Sequence, residues 1–65
     1  MNSYWDYCIE EYTLGSRWRD KGTGDIFMIA RLDKADSLTV FVRFESQHSA
    51  RYLPASSVNA EMERI

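Results

Sequence analysis

The stretch Asp25–Glu45, DIFMIARLDKADSLTVFVRFE, decides the fold. In its second half Leu38, Val40, Val42 and Phe44 alternate with Thr39, Phe41, Arg43 and Glu45. A period of two, built from β-branched and aromatic residues, predicts a strand with Leu38, Val40, Val42 and Phe44 inward and Phe41 outward. The first half is apolar on both sides, with Ile26, Met28, Ala30 and Leu32 on one and Phe27, Ile29 and Arg31 on the other. Such a strand is central, or bends so that each end buries a different face, and the sequence leaves open which side is inward. Asp33-Lys34-Ala35-Asp36-Ser37 between the halves is polar and of hairpin length.

Toward the N-terminus, Ser16–Asp20 alternates polar and aromatic, as a strand with Trp18 inward does. Lys21-Gly22-Thr23-Gly24 is a turn whose two glycines offer positive φ. No helical pattern follows them, so a phosphate-cradling reading of Gly-x-Gly fails. Further back, Tyr4, Trp5, Cys8, Ile9 and Tyr12 form a helical stripe over residues 3–12, with Asp6, Tyr7, Glu10 and Glu11 on the other face. Ser3 and Asp6 loosely resemble a capping box. About ten residues are too few for a helix to stand alone, so this segment packs on its own domain or orders on a partner.

Toward the C-terminus, Ser46–Ser49 is a polar turn and Ala50–Leu53 a short strand ended by Pro54, which lacks an amide hydrogen. Residues 54–58 suit one helical or 3₁₀ turn, and Glu61–Ile65 alternates as a closing strand. The expected fold is mainly β, a small five-stranded SH3-like barrel over residues 14–65 preceded by a short helical, aromatic segment over residues 1–13.

Sixty-five residues make one domain at most, and a chain of that size buries only about 60% of its unfolded surface. Cys8 is the single cysteine and His48 the single histidine, so neither an intrachain disulfide nor a four-ligand zinc site is expected without carboxylates or a second chain. No cofactor is expected, and the core must rest on nine aromatics or on a partner. There is no signal-peptide pattern and no membrane-length apolar run, which leads to the expectation of a complete, small cytoplasmic protein. Net charge is −2, divided as −3 over residues 1–12, +2 over 13–54 and −1 over 55–65. A domain living on non-specific phosphate contacts is normally basic overall. This one is not.

Catalysis finds no set of partners. His48 lies in a serine-rich turn, where adjacency to Ser46 and Ser49 is not triad geometry, and a solvated loop histidine is the ordinary reading. Asp20, Asp25, Asp33 and Asp36 sit where turns ordinarily carry aspartate. The expected protein is not an enzyme. Its outer face is richer in chemistry. Phe41, Arg43, Tyr52, Arg51, Arg17 and Arg19, with Trp5 and Tyr4 from the helical stripe, are residue types that dominate protein interfaces. The plain alternative is that Phe41 lies under the N-terminal segment as part of a second small core. Stacking of bases on Phe41, Tyr52 or Trp18 is a further reading, opposed by the acidic charge. An aromatic cage for methyl-lysine built on Trp18 and Tyr52 is another.

The order Gly15-x-x-Trp18, then Gly24-Asp25-Ile26-Phe27 opening a strand, then Pro54 before the last turn and strand resembles small phage- and prophage-encoded SH3-like barrel proteins. The resemblance covers residues 14–65 and implies a mobile-element setting in the cytoplasm of a bacterial host. That setting opposes the methyl-lysine cage on Trp18 and Tyr52. The function expected is non-enzymatic binding to a host protein or complex, inhibiting or redirecting it, with anti-defence action as one version. The alternative is a small nucleic-acid-associated transcriptional regulator using Arg17, Arg19, Arg43 and Arg51. Homodimerisation through a sheet edge or the Tyr4/Trp5/Ile9 stripe is the third possibility.

Overall fold

The computed structural model describes residues 4–36 and 38–65. Ser3 and Ser37, which enter the capping and turn readings above, lie outside the described residues. Helix α1 spans Tyr4–Glu11, and strands β1 to β4 span Arg17–Asp20, Ile26–Lys34, Val40–Glu45 and Ala50–Pro54. Helix α2, Ala55–Glu61, and strand β5, Met62–Arg64, complete the chain. The strands form one antiparallel sheet in the order β4-β3-β2-β1-β5, curled into a half-barrel.

The inner face follows the alternation of β3. Val40, Val42 and Phe44 are buried, with Trp18 from β1, Phe27 and Ile29 from β2, and Leu53 from β4 beside them. Leu38 is not among them. It is 78% exposed, because the strands end and restart two residues further along the chain than the pattern suggests. The Asp36 carboxylate accepts hydrogen bonds from the backbone N–H groups of Leu38 and Thr39, both at 2.8 Å. An aspartate bonded to the backbone two and three residues on holds a turn, so the strand starts only at Val40. Asp33, expected in that turn, belongs to β2.

The doubly apolar strand is resolved by a bulge. Ile29 faces Phe44, yet Arg31 faces Arg43, so one extra residue, Ala30, lies between successive partners. Phe27 and Ile29 are buried on one side of this break. Beyond it, Leu32 faces Val42 and packs against the same core. The bend lets odd-numbered residues line the core before Ala30 and an even-numbered one after it.

Helix α1 closes the concave side of the half-barrel. Cys8 and Tyr12 are buried in the core cluster, and Tyr4 and Trp5 pack against it half-buried. Eight residues are too few to hold helical alone, so burial of this stripe is what stabilises α1. Tyr12 meets Trp18 at 5.8 Å between ring centroids, and Trp18 meets Phe44 edge-on at 5.9 Å. The Tyr12 hydroxyl donates to the carbonyl of Ala55, tying α1 to the start of α2. Because α1 covers Val40, Val42 and Phe44, it does not cover Phe41. The reading of Phe41 as lying beneath the N-terminal segment is therefore corrected. Phe41 is on the opposite face, half-buried between Pro54 and Asp33.

Two glycines are required where the chain turns. Gly15 has φ +84° and donates its N–H to Ile29, and Gly24 has φ +80° and donates to the carbonyl of Asp20. Gly22 does not take the positive φ expected of it. Its N–H and that of Thr23 donate to the Asp20 carboxylate instead. Pro54, with φ −62° and ψ 144°, precedes α2. That helix is longer than the single turn expected and takes Glu61 out of the last strand.

Candidate binding surfaces

The arginines named from sequence separate into three places. Arg51, from β4, reaches the Asp20 carboxylate and donates to Glu61 at 2.6 Å. This clasp joins the β1 turn, β4 and the end of α2, and Asp20 keeps only 9% of its side chain exposed. The N–H groups of Gly22 and Thr23, then Arg51, hold the Asp20 carboxyl below the usual carboxylate range. Arg51 is thus a structural residue rather than a free cation.

Arg43 and Tyr52 face each other across β3 and β4, and Arg31 faces Arg43 across β2 and β3. Two arginines directly opposite repel. Here Tyr52 lies against both, with the guanidinium carbons of Arg43 and Arg31 at 5.5 and 5.9 Å from its ring centroid. Its hydroxyl accepts from Arg31 and donates to Asp33. Arg31 also pairs with Asp33 at 3.0 Å and Arg43 with Glu45 at 3.1 Å. The Tyr52 hydroxyl, then Arg31, holds the Asp33 carboxyl below its usual range. Two cations and two anions leave this row neutral.

Arg17 and Arg19 lie on β1, where Arg19 pairs with Glu63 at 2.8 Å. Arg17 makes no ion pair among the described residues. The structure therefore brings Phe41, Arg43 and Tyr52 together on one outer face, with Arg17 and Arg19 further along it. Arg51, Trp5 and Tyr4 lie elsewhere. Trp18 is buried beneath Tyr12, so it can neither stack on a base nor join Tyr52 in a cage.

The most apolar concavity lies between α1 and the second half of β2. Trp5, Ile9, Tyr12, Thr13 and Leu14 form one wall and Ala30, Arg31 and Leu32 the other, around a volume of about 430 Å³. Ile9 is 46% and Leu14 62% exposed. The groove lies where α1, held in the core by Cys8 and Tyr12, stands beside the stretch of β2 that carries the bulge at Ala30. Of its residues, the sequence singles out Trp5, Ile9 and Tyr12 in the stripe. Leu14 and Leu32 come from segments read as a break and as a strand interior, and only the tertiary fold sets them beside the helix.

His48 is exposed in the β3–β4 turn, beside a polar hollow formed with Arg17, Asp25, Ile26 and Ser46. The Ser46 hydroxyl accepts the N–H of Ser49 at 3.1 Å and lies 3.2 Å from its hydroxyl. These bonds hold the turn. Cys8 is enclosed, and burial pushes its thiol pKa up, with a hydrogen bond from Tyr4 acting in the other direction. No helix of the described residues is long and apolar enough to cross a membrane. Comparison with protein-family models, with curated proteins and with solved structures finds no match for this chain.

Proposed function

We propose that this chain is a non-enzymatic protein-binding module on an SH3-like frame, acting by occupying a surface of a larger protein or complex. The observation that carries the reading is the apolar groove between α1 and β2, along which Ile9 and Leu14 stay exposed. The SH3-like assignment draws support from the antiparallel run β1 to β4, the helix after Pro54, and a last strand returning beside β1. In the phage-type setting implied by the sequence resemblance, the bound protein belongs to the bacterial host, and binding inhibits or redirects it. The nucleic-acid reading loses ground because Arg19, Arg31, Arg43 and Arg51 are each engaged by carboxylates within the fold.

The test is affinity capture from bacterial lysate, with and without nuclease, using the native chain, Leu14→Glu and Arg43→Glu. A protein captured stoichiometrically, retained after nuclease and lost by at least tenfold with Leu14→Glu is the expected result. Loss with Arg43→Glu alone moves the binding surface to the Tyr52 face. Recovery of nucleic acid, with binding that weakens steeply as salt rises, replaces this reading by the regulator.

A further inference from the structure

The groove is bordered by an open strand edge. Strand β1 pairs with β2 through Met28, Phe27 and Ile26, and the contact ends where Ile29 exchanges hydrogen bonds with Gly15 and Ser16. Past the bulge, Arg31 to Lys34 pair with β3 on one side only. Among the described residues no strand lies along the other side. Backbone N–H and C=O groups directed there have the spacing that another extended chain satisfies. An open edge beside an apolar groove is two features of one ligand type. The edge fixes the ligand's backbone, and the groove takes every second side chain.

We propose that the groove between α1 and β2 takes a short extended peptide segment that pairs with the Arg31–Lys34 edge as an added strand, placing alternate apolar side chains against Trp5, Ile9, Leu14 and Leu32. This rests on the protein-binding reading above and specifies its ligand. Charge narrows the class. From Tyr4 to Ser16 the chain has no lysine or arginine, and just past Ile9 on the helix surface comes Glu10. On the opposite wall Arg31 is already paired with Asp33. The favoured segment is therefore apolar at alternate positions and flanked by lysine or arginine on its helix side. A second copy of the chain suits the slot less well. Its own β2 edge carries α1 alongside, so it cannot enter between a helix and a strand as a bare segment can.

The experiment is selection of randomised ten-residue displayed peptides on the full chain, followed by backbone N-methylation of each enriched peptide, one amide at a time. The expected peptides alternate apolar residues and carry a basic flank. N-methylation at every second amide lowers affinity more than tenfold, while the amides between tolerate it. Leu14→Glu removes binding, and Glu10→Lys weakens the basic-flanked peptides severalfold at low salt but not at high salt. Circular dichroism of each variant confirms that it is folded. N-methyl effects without a period of two, enriched peptides that bind as helices, or no enrichment at all overturn strand addition. If selection fails while the native chain still captures a folded protein through Leu14, strand addition alone falls and the binding module stands. If neither binds, both fall. A dimer in sedimentation that Leu14→Glu dissociates assigns the groove to a second copy and overturns the peptide.

Discussion

Asp20 and Tyr12 show how single side chains set the conditions under which the protein holds together. Asp20 sits almost out of solvent because two backbone N–H groups and Arg51 replace its water. Its carboxyl titrates below the usual range when folded. The stability it contributes is therefore present above the ordinary carboxylate range and lost as pH falls through the depressed value. Tyr12 behaves in the opposite sense. Burial pushes its hydroxyl up to about 12, so the associated stability is whole below pH about 10 and is lost as pH rises toward 12. Denaturation followed by tryptophan fluorescence should show both limbs. Asp20→Asn should lower the midpoint at neutral pH and flatten the acid limb, and Tyr12→Phe should flatten the alkaline one. An acid limb as steep in Asp20→Asn as in the native chain would assign it to other carboxylates, Asp33 and Asp36 first, since theirs are depressed too.

Strand β2 is the element that joins fold and groove. Its first part is central, between β1 and β3, and its second part is an edge. The single extra residue at Ala30 separates the two. Deleting Ala30 leaves Phe27, Ile29 and Leu32 at strict alternate positions, all directed to the core side. The deletion should therefore keep a folded chain with cooperative urea unfolding, yet flatten the lip of the groove. Loss of the cooperative transition would mean that the bulge is needed for closure of the half-barrel rather than for the shape of the groove. Helix α1 is bound to the same logic. It is held by Cys8 and Tyr12, not by its own propensity, and its outer residues remain available because its inner ones are spent on the core.

For the whole molecule, smallness decides the outcome of large changes. A single core below 70–80 residues rarely supplies more than about 3–5 kcal/mol of net stability. Removing a buried aromatic such as Trp18, packed between Tyr12 and Phe44, costs about 3–5 kcal/mol. Trp18→Ala should accordingly lose its near-ultraviolet dichroism at room temperature. A variant that still unfolds at the native urea concentration would show that the core is shared more widely than these contacts indicate.

The identity of most elements was legible along the chain, because strand and helix periods depend on neighbours in sequence. The alternation of β3, the inward Trp18, the outward Tyr52, the α1 stripe and the helix after Pro54 all follow from local pattern. Leu38 was misplaced because a polar turn and a strand start differ only in which backbone groups the Asp36 carboxylate reaches. The candidate surface was less legible. The sequence alone determined that this is a mainly β chain with a helical lead-in and a net charge of −2. The tertiary structure decided that the doubly apolar strand bends at Ala30, that Arg31, Arg43 and Arg51 are neutralised by carboxylates, and that Leu32 lines a groove opposite α1 and Leu14. The physical reason is range. Periodicity is set over a few residues, whereas ion pairing, burial and an unpaired edge depend on which distant segments the folded chain brings alongside.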